Sequence, residues 1–195
     1  MTPFDLRAFD PPLSVPTLTS GPVVLRPFDL SDLPLVRQAS GDDTITAITS
    51  VPSIYSDDEG RAFIERQHQR AAGADGLSFV IAGADDSGVG MGSIGLWLPE
   101  IESGRASIGY WLLEEHRGHK LAGWALRGLV GHAVGTLAIP RLHLFVEPWN
   151  VASARTAEFA GFSRETLLRR WERINGEQRD VESYVLLNEE ADAGE

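Results

Sequence analysis

Cysteine is absent from the 195 residues, and Lys120 is the only lysine among 17 basic side chains. The first absence excludes a disulfide scaffold, a thiolate metal site and a cysteine nucleophile, and it fits a reducing compartment. Positive charge is scarce overall: 28 acids against 17 bases leave a net charge of −11. Binding nucleic acid over the whole surface needs a basic face, so no direct nucleic-acid contact is expected. No apolar run reaches the ~20 residues of a membrane span, and no membrane partner is expected. The N-terminal stretch lacks a basic region followed by an apolar core, so it does not read as a signal peptide; the cytoplasm is the default location.

What is there is ordinary globular material. Hydrophobic residues make up 43% and charged residues 23%. A chain of this length buries ~70% of its unfolded surface and reads as one domain. Pro3, Pro11, Pro12 and Pro16 make residues 1–20 an extended arm. Residues 21–187 form the domain, and the acidic stretch 188–195 reads as a disordered tail.

Along the domain, Val23 to Pro27 reads as a strand, and Asp29 or Ser31 caps a helix running to Ser40. Residues 40–55 read mostly as loop. A second helix starts at Ser56, where Ser56 and Glu59 have capping-box spacing. Residues 77–83, 89–98 and 105–113 are apolar runs at ~10-residue spacing, an antiparallel meander. Leu121, Ala125, Leu126, Leu129, Ala133 and Leu137 stripe a long helix that Pro140 ends. A strand at 141–147, a helix at 150–160 stopped by Gly161, and two strands (162–171 and 179–187) turning at Asn175-Gly176 complete the chain. The fold class is α/β, with a mixed sheet and helices on its faces.

Gly90 to Gly95, GMGSIG, matches the dinucleotide pattern G-x-G-x-x-G. That loop must follow a strand and open a helix. Here it runs into the strand-like LWL, so the glycines read as close backbone approach or a bulge inside a strand.

A different loop carries the phosphate signal. A strand ends near Leu113, then Arg117, Gly118, His119 and Lys120 precede the long helix. Unpaired N–H groups and the positive helix end make such a junction an anion site, and a solvated basic loop is the plain alternative. His116 and His119 have i, i+3 spacing without a third ligand, so no metal site is indicated.

The run IGYWLLEEHRGHKLAGWAL, then N-V-A-S at 150–153 and A-G-F at 160–162, resembles the GNAT acyl-CoA N-acyltransferases, near their RimJ/RimL-like branch. The likeness spans residues ~21–187 and implies the GNAT fold: a mostly antiparallel mixed sheet with helices on both faces. It implies acetyl-CoA as co-substrate, held by Leu112, Leu113, Arg117, Gly118, His119, Lys120, Leu121, Ala122, Gly123 and Asn150. Lys120 replaces a usual glycine of the pyrophosphate motif, so it either adopts glycine-like dihedrals at about 1 kcal/mol or shifts the loop. Leu112 and Leu113 would offer backbone groups to the pantetheine arm, as to an added strand.

The same likeness places the reaction. An amine attacks the thioester, and the departing thiolate takes a proton. The tyrosine many relatives use for that proton is replaced by Ala157, which leaves Ser153 as donor with Asn150 beside it, one helical step away; Asn150 as a plain N-cap coexists with that role. The acid expected before I-G-Y is Ser107, and Glu100, Glu102 or His116 remain as bases acting through water. Trp97, Tyr110 and Trp111 either wall an acceptor pocket or belong to the core. The acceptor is expected to be a protein or peptide N-terminal α-amine. The alternatives are a small-molecule amine (an antibiotic, a polyamine or an amino acid) or a domain that binds acyl-CoA without turnover. A homodimer is left open.

Overall fold

The computed structural model describes residues 4–189. The strands are β1 (Leu18–Ser20), β2 (Val23–Arg26), β3 (Gly76–Gly83), β4 (Gly90–Trp97), β5 (Arg105–Leu112), β6 (Arg141–Val146), β7 (Ser163–Ile174) and β8 (Glu177–Leu187). The helices are α1 (Leu33–Ser40), α2 (Asp43–Ile48), α3 (Asp57–Ala72), α4 (Leu121–Gly135) and α5 (Val151–Phe159). The strands make one sheet in the order β1-β2-β3-β4-β5-β6-β8-β7, and β5 with β6 is its parallel pair.

Strand alternation sends the core to two faces. Phe79, Ile81, Ile108 and Leu112 pack with Leu126, Leu129 and Ala157 of α4 and α5. Val80 and Trp111 pack on the other face with Val36, Ile45, Phe63 and Ile64 of α1, α2 and α3. Helices therefore cover both sides of a mostly antiparallel sheet, the architecture expected.

Several local readings need correction. Residues 40–55 are mostly loop, as read, but they hold an unforeseen short helix: α2 forms because Asp42 caps it, accepting from the N–H groups of Thr44 and Ile45. Six residues rich in β-branched side chains leave no periodic trace. Helix α4 stops at Gly135 rather than at Pro140, because the N–H groups of Thr136 and Leu137 turn back to His132 O and that of Ile139 to Ala133 O. The N-terminal stretch is not extended throughout. It contains a 3₁₀ turn at Leu6–Phe9 with Phe9 buried, and β1, which pairs with β2. Asn188, read as the start of a disordered tail, is 7% exposed and its N–H donates to Pro140 O at 2.8 Å; residues 190–195 lie outside the described residues.

The GMGSIG stretch lies within β4, as a strand reading requires. Opposite it Ile81 pairs with Gly92 and Ala82 with Gly90, so Met91 is an inserted bulge residue. A Cβ on Gly92 would sit 2.2 Å from Trp111 O, which only a bare backbone allows.

Candidate active site

The parallel ladder between β5 and β6 lasts from Arg105↔Arg141 to Ser107↔His143 and then stops. Beyond it the two strands part around a cleft of about 430 Å³, lined by Ile108 to Trp111 on one side and Leu144 to Glu147 on the other. Trp97, Tyr110, Trp111, Asn150 and Ser153 all line this one cleft, so the aromatic set and the proposed proton donor come together. Ser107 lines it too, at the position read as a lost acid.

Asn150 starts α5, its side-chain oxygen accepting from Ser153 N–H at 3.0 Å. Capping and lining are therefore combined in one residue. The Tyr110 hydroxyl, read from sequence only as pocket wall, reaches across from β5 and donates to Ser153 Oγ at 3.1 Å. Burial pushes the phenol up, so it stays protonated and serves as a donor. Ala157 is fully buried, and no hydroxyl arrives from that position.

At the end of β5 the backbone divides its hydrogen bonds. Leu113 N–H donates to Met91 O at 3.0 Å, toward β4. By the alternation of an antiparallel pair, Tyr110 and Leu112 present their backbone groups to the opposite, parted edge. Of the expected pair, Leu113 N–H is engaged with β4, while Leu112 faces the gap together with Tyr110, its carbonyl accepting from Arg117 Nε.

The loop to α4 keeps a glycine's shape without the glycine. Lys120 has φ 61° and ψ 10°, left-handed, and Gly118 has φ 82°. The Lys120 side chain makes no cap on α4, so the first N–H groups of Leu121, Ala122 and Gly123 have no side-chain partner from it. A Cβ on Gly123 would lie 2.7 Å from Phe159, so this glycine brings α4 close to α5. Gly118, His119 and Lys120 are exposed around this helix start.

Arg117 departs from a freely mobile phosphate ligand. Its Nε donates to Leu112 O at 3.0 Å, and its Nη2 pairs with Asp42, the residue that caps α2. Burial alone would raise the Asp42 carboxyl, but the Arg117 and Ile45 hydrogen bonds outweigh it and hold the group below its usual value. Arg117 thereby ties the loop to the strand end and to α2.

The cleft also holds charges that sequence reading missed. Glu147 and Glu172 line it, as do Gln67 and Arg70. Burial pushes the Glu172 carboxyl up, and the Glu147 charge adds to the rise. Glu172 sits in β7 among Arg169, Arg170 and Arg173, where strand periodicity does not distinguish one charge from the next. Phe63, Gln67 and Arg70 follow at i, i+4 and i+7, and that spacing on an apolar helix face was the available signal. Glu100, Glu102 and His116 do not line this cleft; Glu100 pairs with Arg105 at 3.0 Å and borders a separate hollow of about 610 Å³.

The family model for the acetyltransferase (GNAT) domain matches residues 23–163. The N-acetyltransferase p20 of Bacillus licheniformis is 28% identical over 176 residues, covering 89% of this chain and 97% of that protein. RimL, a ribosomal L7/L12 α-N-protein acetyltransferase solved in complex with coenzyme A, aligns at TM-score 0.77 and 22% identity over 88% of this chain and 98% of that one. Mycobacterium smegmatis RimJ, solved in complex with a CoA disulfide, aligns at TM-score 0.77 and 23% identity over 92% of this chain and 89% of that one.

Proposed function

The chain belongs to the GNAT acetyltransferase family, and from that premise we propose that it moves an acetyl group from acetyl-CoA to the N-terminal α-amine of a protein or peptide. The observation that carries this reading is the parting of β5 from β6, with Ser153 and Tyr110 inside the cleft and an uncapped helix start at the end of β5.

The pyrophosphate of acetyl-CoA lies against the N–H groups of Leu121, Ala122 and Gly123, with Gly118 and His119 beside it. Lys120 adds a full charge to the helix dipole. Arg117 acts by holding the loop. The pantetheine arm runs along the parted edge at the Tyr110 backbone and the Leu112 N–H, Leu112 O being taken by Arg117 Nε, with Asn150 beside it. The acceptor enters over Trp97 and Trp111.

The amine nitrogen attacks the carbonyl carbon, the C–S bond breaks, and the amine loses a proton as the thiolate gains one. Tyr110 O–H points at Ser153 Oγ, which frees the serine proton to go to sulfur while the phenol supports the oxygen left behind. Glu172, with its raised carboxyl, takes the amine proton directly or through water. That base is weak. An α-amine near pKa 7.8 is neutral about one time in seven at pH 7, whereas a lysine near 10.4 is neutral about once in 2,500. The α-amine is the acceptor such a site can use.

Thiol release from acetyl-CoA, measured with N-terminal peptides, lysine side-chain analogues, polyamines and aminoglycosides, tests the reading. Fastest release with peptide α-amines is expected. Release only with small amines overturns the acceptor assignment, and CoA binding without release for any amine overturns the activity in favour of a sensor.

A further inference from the structure

Arg70 is the arginine that lines the cleft among the described residues. Its guanidinium stands 4.6 Å from the centre of the Trp97 ring and donates to Gln67 Oε1. Gln67 is 4% exposed, and its amide nitrogen donates to Phe63 O at 2.8 Å, which aims the oxygen at Arg70. Trp97 is held as well: a Cβ on Gly95 would lie 2.5 Å from its ring. The cation is therefore fixed from two sides while it lines the cleft. Among the described residues it forms no ion pair. Asp75 acts on it only from a distance, and burial together with the Arg66 charge opposes its own. The other charged side chains lining the cleft are Glu147 and Glu172, from the end of β6 and from β7. Arg70 stands over Trp97, which pairs with Ser107 where the β5–β6 ladder ends, whereas Glu147 follows Val146 at the far end of β6 and Glu172 comes from β7, so cation and acids occupy separate parts of the cleft.

A cleft with a cation in one part and carboxylates in another fits a molecule with an anion and an amine a few bonds apart. We infer that Arg70 receives a carboxylate of the acceptor, so that the preferred substrate is an N-terminal peptide with Glu or Asp at residue 2 or 3. The inference rests on the acetyl-transfer reading above and adds the acceptor's class. Guanidinium and carboxylate pair as a charge-assisted fork, and Trp97 beneath excludes water from one side of it.

The test uses hexapeptide amides that differ only in Glu or Gln at residue 2, the same pair at residue 3, and a free amino acid against its amide. Turnover is followed by thiol release, and binding to the CoA-loaded protein by calorimetry, so that recognition is read even without turnover. The expected result is a preference for Glu over Gln peptides of about 10-fold or more, the scale of a hydrogen bond to a charged group. Arg70→Gln should bring that ratio to within about twofold of unity, and Arg70→Lys should retain part of it. A thermal melt of each variant confirms folding. The same Arg70-dependent preference seen only for the free amino acid overturns the peptide source. A Glu-to-Gln ratio near one in the wild type, or a ratio that survives Arg70→Gln, overturns the role of Arg70. Discrimination in binding with no turnover leaves that role standing and instead overturns the transfer activity.

Discussion

The Tyr110 hydroxyl donates to Ser153 Oγ at 3.1 Å, joining β5 to the first turn of α5 across the cleft. In the proposed acetyl transfer these two groups, far apart in the chain, act as one proton-donating unit. Ser153→Ala should lower kcat by ~10²-fold, the scale of general-acid effects, with little change in KM for acetyl-CoA. Tyr110→Phe keeps the ring and removes the donor, and about 10-fold is expected. The double variant should be no slower than Ser153→Ala alone, because the phenol acts through the serine. Steady-state kinetics of the three variants checks this, and additive losses would separate the two groups.

Lys120 holds a left-handed conformation that costs an ordinary side chain about 1 kcal/mol. Lys120→Gly should relieve it and raise the melting temperature of the free protein by roughly 2–4 °C, the shift such an energy produces in a chain of this size. The same change removes a charge from the phosphate loop, so CoA affinity should fall and become less sensitive to salt. Calorimetric melts and CoA titrations at two ionic strengths read both effects.

Arg117 and Asp42 are joined across the loop, and the pairing holds the Asp42 carboxyl low. A depressed carboxyl contributes stability that is present above its unfolded value of ~3.9 and is lost as pH falls through the lowered folded value. Asp42→Asn should therefore destabilise the protein at pH 7 and narrow its difference from the wild type as pH drops below ~4. Arg117→Ala should weaken CoA binding through a loosened loop. Melts across pH 2.5–7 give the sign.

Glu172 sits in the cleft with its carboxyl pushed up by burial and by Glu147. A base works only when ionised, so kcat/KM should fall as pH drops through a value above the ordinary carboxylate figure of ~4.3. Glu172→Gln should remove that limb and lower kcat/KM by ~10²-fold at pH 7. Two acceptors whose amine pKa values differ by ~1 unit separate the contributions: a limb common to both belongs to the enzyme, and one that moves with the amine belongs to the substrate. Profiles governed wholly by the acceptor would remove Glu172 from the reaction.

Much of this architecture was legible in the chain because it rests on local chemistry. The meander of β3, β4 and β5 follows from apolar runs between short turns, and Ser56 at the start of α3 announces itself by its spacing to Glu59, whose N–H it accepts at 3.1 Å. The hairpin at Asn175 and Gly176 needs positive φ at both positions, and both have it. Even Lys120 was constrained beforehand: a side chain at a glycine's place has to take its dihedrals or move the loop, and it takes them. Helix α2 was hidden because it is too short for a period and depends on a single aspartate cap.

The contents of the cleft were decided by packing. Where β5 parts from β6 depends on how α4 and α5 fill one face and α1 to α3 the other, which no spacing within either strand encodes. Tyr110 reaches Ser153 from 43 positions away, and Arg117 reaches Asp42 from 75. Such pairs form only when separate elements meet, and each partner alone reads as an ordinary polar residue. Composition determined that this is an acidic, cysteine-free globular domain, and one stretch of chain pointed to an anion site ahead of α4. Which carboxylates stand in the cleft and which arginine, among the described residues, lines it without an ion pair were decided by the tertiary structure, because burial and distance, rather than residue type, set what a side chain can reach.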